Sequence, residues 1–328
     1  MPGPTLNPSP GILGFRLANP MRIARLVGYV LLSVAALYFV GSAWKYASAF
    51  PSVEWNGRIA AIFAAVIAVY LTMCMMSAFA WHLWLKAVRE PSRATLAVVL
   101  WLLSQFAKYV PGSIAHHIAR VALARRHGLG TAGVVVTIGL EQSWALTAGV
   151  VVAITSLAIA GPALVAGMAL PSVPTILAVT AVALLLPSAG IWLIGERRPA
   201  FMNRWLGPAQ IAHPGFGTLT ACLLIYSANF FISGWILDLL ARQVFGAADN
   251  HVLLATGVYA VAWVAGLVTL VAPGGIGVRE AVLLAGLTPA YGAGTALGVA
   301  VAFRVVTLLG DGLGFLAGFL AEKRLARG

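Results

Sequence analysis

Charged residues are scarce in this chain: Asp, Glu, Lys and Arg make up 9% of its 328 residues, against roughly a quarter in a typical soluble domain. With 61% hydrophobic residues and a mean hydropathy of +0.94, that scarcity excludes an ordinary soluble globule and implies an all-α polytopic membrane protein. Cysteine is nearly absent. Cys74 and Cys222 both sit inside apolar runs, which excludes a disulfide or metal framework and leaves buried thiols. Also missing are a Gly-x4-Gly-Lys-Ser/Thr phosphate loop, a His-Glu-x2-His metal pair, a paired-aspartate motif for a pyrophosphate-bound metal and a Gly-x-Ser-x-Gly elbow. The chain therefore reads as a non-enzyme with no cofactor and no metal site.

What is present is positive charge and long apolar runs. The formal charge of +12 would suggest nucleic acid in a soluble protein, but here the basic residues cluster at the ends of apolar runs and report topology. Six runs are long enough to span, at about 26–44, 59–82, 131–160, 172–195, 216–241 and 291–320. Ala47-Ser-Ala49 after the first resembles a processing site, yet that run exceeds the length of a signal peptide's apolar core, and an uncleaved first helix is expected. Two further segments, 94–126 and 251–287, are interrupted and read as hairpins that dip into the membrane and return. On this scheme Arg16, Arg22, Arg25, Lys86, Arg89, Arg93, Arg125, Arg126, Arg197, Arg198, Arg204, Lys323, Arg324 and Arg327 are cytoplasmic, and Lys45, Arg58 and Arg242 lie outside. That obeys the positive-inside rule and puts both termini in the cytoplasm of a bacterial inner membrane. The expected layout is a cytoplasmic segment 1–22, one transmembrane domain 23–320 and a cytoplasmic tail 321–328. Within the domain, 59–160 and 216–320 repeat the order span, hairpin, span from opposite faces, an inverted-topology repeat.

The breaks themselves are Lys108-Tyr-Val-Pro-Gly-Ser113 and Ala272-Pro-Gly-Gly-Ile-Gly277. Backbone left unpaired at membrane depth survives only where it is buried in protein or lines a polar cavity, so paired breaks point to a substrate site. Pro111, Gly112 and Ser113 would open one short helix, with Ser113 as its N-cap. Pro273, Gly274, Gly275 and Gly277 would form a backbone nest ahead of a second. Helix N-termini attract anions. Lys108, His116, His117 and Arg120 flank the first break, Arg279 and Glu280 the second. A headgroup site is one reading of these groups; snorkelling of Lys108 and Arg120 to the membrane surface is the other. Glu141 and Arg304 fall near the middle of their spans, where charges need partners, and are expected to pair with each other, Asp311 extending the stripe from Arg304. Asp238, four residues before Arg242, reads as locally paired. Trp44, Trp55, Trp81, Trp84 and Trp205 lie near span ends and read as interfacial anchors.

These residues also carry a resemblance. The two breaks, Arg120, Arg125-Arg-His-Gly-Leu129, Glu141, the stretch Pro273-Gly-Gly-Ile-Gly-Val-Arg-Glu280 and Arg304 resemble the lysylphosphatidylglycerol synthase transmembrane, or flippase-like, family over about 20–320. Where that family often has Glu-Arg and a later Asp, this chain has Gln142 and Ala145. The resemblance implies a lipid translocase passing an anionic or lipid-linked headgroup between leaflets. The sequence ends at Gly328, so the reading expects no lysyl-phosphatidylglycerol synthesis by this chain alone. A lipid-modifying transferase with His116 or His117 as base, and a scaffold for a lipid-synthesis or glycosyltransferase partner, are the alternatives. A homodimer stays open, and nucleic acid is no partner.

Overall fold

The computed structural model describes residues 53–109, 114–160, 214–269 and 275–325, with Leu37, Val40, Gly41, Trp44 and Val182 as isolated positions. Apart from those positions, the spans expected at 26–44 and 172–195 lie outside the described residues, as do Pro111, Gly112, Ser113, Pro273, Gly274 and Trp205. Within them the chain is all-helical, as expected of a polytopic membrane protein.

Eight helices are described: α1 Gly57–Ala87, α2 Ala94–Gln105, α3 Ala115–Arg126, α4 Thr131–Ala160, α5 Phe216–Gln243, α6 Val252–Val268, α7 Val278–Tyr291 and α8 Ala293–Leu325; a 3-10 turn, Phe106–Tyr109, follows α2. Four of them, α1, α4, α5 and α8, are long and apolar enough to cross a membrane. The 12 residues of α2 and of α3 reach only about 18 Å at 1.5 Å per residue. Local chemistry sets the ends. Asn56 caps α1 by accepting the Ile59 N–H at 3.0 Å, and after α1 the chain turns through Arg89, at φ 62, and Pro91. Glu90 in that turn accepts the Gly130 N–H at 2.8 Å and so ties the turn to the start of α4.

The order long, short, short, long occurs twice, and the packing repeats with it. Exchanging α1 with α5, α2 with α6, α3 with α7 and α4 with α8 maps every principal helix contact onto another: α4 on α6 becomes α8 on α2, and α1 on α2 becomes α5 on α6. The equivalent helices α1 and α5 pack against each other and run antiparallel. Arg58 bonds Gln243 at 2.5 Å, Asn229 bonds Ser77 at 2.9 Å, and Trp84 bonds Tyr226 at 3.1 Å, so one chain number rises as the other falls.

Those contacts also fix the ends of the bundle. The turns 88–93 and 127–130 and the end of α8 share one end, where His127 meets Glu322 at 3.4 Å. The end of α5, the start of α6 and the end of α7 share the other, where Asp238 accepts from the His251 N–H at 2.8 Å and the Tyr291 hydroxyl at 2.7 Å. Each short-helix pair therefore returns to the end it left, α2–α3 to one and α6–α7 to the other.

Two clusters of buried side chains form the core. One, around Trp81, Leu100, Leu240, Leu254 and Phe303, joins both halves; the second, around Trp84, Trp144, Tyr226 and Phe230, seats α5 on α1 and α4. Trp81 and Trp84 are fully buried, donating to the Thr137 hydroxyl and the Tyr226 hydroxyl, each at 3.1 Å. That corrects their reading as interfacial anchors: α1 continues to Ala87, and packed helices cover both indoles. Trp44 and Trp55 are exposed, and the outer face is apolar, with Phe216, Leu224, Val135 and Leu316 all open.

Candidate functional site

Between the two short-helix pairs lies a cavity of about 430 Å³. Every described helix except α8 contributes to its wall: Tyr70, Cys74 and Ser77 from α1, Trp101 and Gln105 from α2, His116, His117 and Arg120 from α3, with the remaining helices adding Glu141, Gln142, Asn229, Trp263 and Arg279. Lys108 enters from the 3-10 turn. A smaller recess of about 40 Å³, sharing Tyr70, Lys108, Tyr259 and Arg279, extends toward Glu280 and Arg304. Polar groups in these walls lie among apolar helices, where desolvation makes each unpaired charge costly.

Three ion pairs form within this region, leaving Arg279 outside them, and they are not the ones the sequence suggests. Glu141 does not pair with Arg304. Its carboxylate binds the Arg120 guanidinium and accepts the Trp101 indole N–H at 3.2 Å, while Arg120 also reaches the Ser104 hydroxyl at 3.3 Å and lies 5.0 Å and 5.6 Å from the centres of the Trp81 and Trp101 rings. Arg304 faces Glu280 at 3.4 Å instead. The short helices place a partner beside each long-helix charge before the opposite repeat can reach it. Arg120 is 1% exposed, so it does not snorkel.

Asp311 gathers three groups. Lys108 stands 2.7 Å away, and the hydroxyls of Tyr70 and Tyr109 donate to it at 2.9 and 2.5 Å. This clamps the tip of the α2–α3 hairpin to the middle of α8. Asp238 pairs locally with Arg242 at 2.7 Å, away from the cavity, as expected.

At the second break, Gly275 and Gly277 adopt φ 71 and 85, in the left-handed region that favours glycine. The nest expected to receive an external anion is already engaged at one point: the Gly277 N–H donates to Glu280 at 2.7 Å, so the first turn of α7 is capped from within. Gly275 serves a second purpose. A Cβ there would lie 2.6 Å from Arg279 Nε, and one on Gly266 would lie 2.7 Å from it, so the Arg279 side chain occupies the space these two glycines leave. Its Nε is buried without an acceptor, and Arg279 forms no ion pair among the described residues. His116 and His117 lie beside the cavity with ring centres 3.8 Å apart and planes tilted by 40°, and neither Nδ1 has a hydrogen-bond partner among the described residues.

The arrangement is thus a polar chamber inside an apolar helical bundle, with one guanidinium unmatched among the described residues. The family model described as the lysylphosphatidylglycerol synthase transmembrane region matches residues 23–313. The chain belongs to this family. No curated protein matches it significantly. As a lysylphosphatidylglycerol synthase transmembrane region protein it is a multi-pass membrane protein of lipid-related function. Of the site residues expected from the sequence, Lys108, His117, Arg120, Glu141, Gly275 and Arg279 line the main cavity; Glu280 and Arg304 line the recess, and Asp311 holds Lys108 from behind. Gly277 lies beside them as the N-cap of α7. Sequence reasoning did not single out Trp101, Gln105 and Asn229. Gln105 and Asn229, amides inside apolar helices, were the available signal.

Proposed function

We propose that this family member is a lipid translocase of the bacterial inner membrane, and that an anionic or lipid-linked headgroup crosses through the cavity between the short-helix pairs. The observation that carries the reading is Arg279: a cation without a counter-charge among the described residues, facing a chamber inside an apolar bundle. Such a charge is tolerated where a ligand or water meets it. On this reading the two short-helix pairs are re-entrant hairpins. The antiparallel packing of equivalent helices supports an inverted-topology repeat, the architecture in which substrate sites lie at the repeat interface. Lys86, Arg89, Arg93, Arg125, Arg126, Lys323 and Arg324 gather at the end where the α2–α3 hairpin opens, which supports a cytoplasmic assignment for that end and the C-terminus.

The alternative of a transferase asks for an imidazole held by an orienting acceptor. Among the described residues, His116 and His117 have none at Nδ1.

Leaflet exchange of fluorescent lipids in vesicles reconstituted with the full chain tests the translocase. Ala145 lines the cavity, and Ala145→Phe fills part of it. Exchange should fall to the protein-free rate while the variant still purifies as a folded protein; exchange at the parental rate would remove the cavity from the path.

A further inference from the structure

We infer that the cavity selects lipids whose headgroup is a phosphodiester with one net negative charge and neutral, hydroxyl-bearing remainder, and rejects zwitterionic, cationic and doubly charged headgroups. The inference rests on the reading of the cavity as a headgroup site and adds to it which charge that site accepts.

Four cations border the cavity and its recess: Lys108, Arg120, Arg279 and Arg304. Three carboxylates face them, each committed to one cation: Asp311 to Lys108, Glu141 to Arg120, Glu280 to Arg304. Among the described residues Arg279 is left over, so the lysine, arginine and carboxylate side chains of the walls sum to one uncompensated positive charge. In a low-dielectric site a ligand with one negative charge neutralises it, whereas a second negative charge, or any added positive one, stays unpaired at a cost of several kcal/mol. An ammonium on the ligand would find no free carboxylate and would approach Lys108, Arg120 and Arg279 instead. Aminoacylation, which adds an ammonium, therefore turns a fitting headgroup into a poor one.

The rest of the wall suits a neutral polar group. Asn229 donates to the Ser77 hydroxyl at 2.9 Å, which leaves its Oδ1 buried and without a donor among the described residues. A ligand hydroxyl supplies that donor. Gln105 and Gln142 add neutral amides nearby.

The acyl chains have a route out. Ile114 lines the cavity and is 56% exposed, and Phe106 in the 3-10 turn and Ile118 in α3 are exposed as well. An exposed apolar side chain in the wall suits an acyl chain, which distinguishes a lipid from a soluble phosphodiester of the same charge. A volume of about 430 Å³ holds a headgroup, not two long chains.

The test is native mass spectrometry of the full chain in detergent with an equimolar mixture of phosphatidylglycerol, phosphatidic acid, phosphatidylethanolamine and lysyl-phosphatidylglycerol, with glycerophosphoglycerol as soluble competitor. Phosphatidylglycerol should be enriched at least tenfold over each other lipid, about 1.4 kcal/mol, and equimolar glycerophosphoglycerol should not displace it. Arg279→Gln should erase the preference and Arg279→Lys should keep it. Equal retention of all four lipids by the parent, or preference for lysyl-phosphatidylglycerol or phosphatidylethanolamine, overturns the charge rule whatever the variants do. Preference for phosphatidic acid overturns it too, and displacement by the soluble competitor overturns the lipid assignment. Selective binding without leaflet exchange in vesicles would leave the charge rule standing and remove the translocase.

Discussion

Arg120 is the most enclosed cation described, held by Glu141, Ser104 and two indole faces. Removing one member of such a pair strands the other in a dry interior, a loss of roughly 3–5 kcal/mol, whereas removing both is far milder. Arg120→Gln and Glu141→Gln should therefore each lower thermal stability more than the double change. The same cycle on Glu141 and Arg304 should be additive, since different partners hold them. Gly275 offers a test of backbone rather than charge. Leucine there meets a left-handed φ of 71 and a Cβ position 2.6 Å from Arg279 Nε, so Gly275→Leu should cost roughly 1–3 kcal/mol and displace Arg279, lowering phosphatidylglycerol binding. Gly139→Ala in α4, where a Cβ meets open space, should leave stability unchanged or slightly raised when both are compared in thermal melts.

Between elements, the two repeats place ion pairs at equivalent helices with the signs exchanged: the cation sits on α3 and the carboxylate on α4 in one half, the carboxylate on α7 and the cation on α8 in the other. The two hairpins are thus fastened by opposite chemistry, and the α2–α3 tip is further tied to Asp311. Asp311→Asn should weaken that tie, and hydrogen exchange over residues 106–109 should quicken while α5 is unaffected. The elements themselves were legible. Apolar runs at 131–160 and 216–241 became Thr131–Ala160 and Phe216–Gln243, because run length and Gly/Pro punctuation are local properties. The second short helix starts at Val278, where the glycines end. Partner choice was not legible. Depth along a span suggested Glu141 with Arg304, but helical periodicity gives a face and not the register between helices, and Arg120 arrives from a hairpin whose tilt the sequence does not encode locally. Trp81 and Trp84 misled for a related reason: closeness to a span end says nothing about whether another helix covers it.

For the whole molecule, the charge asymmetry between the two ends predicts orientation. Single cysteines at Arg89 and Glu322 should label from the cytoplasmic side of intact cells, and those at Arg58 and Asn250 from outside; labelling of Arg89 and Arg58 from one side would contradict the two-ended bundle. The native Cys74 and Cys222 are buried and should stay silent in such an experiment. The clamp on Asp311 also bears on how the protein is made. Lys108 and Tyr109 are synthesised some 200 residues before the carboxylate that satisfies them, and α2 gains its packing against α8 only when α8 arrives. Until α8 has been made, the first hairpin must wait with its ammonium short of this carboxylate, so it settles late or shelters in the insertion machinery. Chains stalled before α8 should then be cleared by membrane proteases far faster than full-length ones, and the first repeat expressed alone should need the second, supplied in trans, to persist.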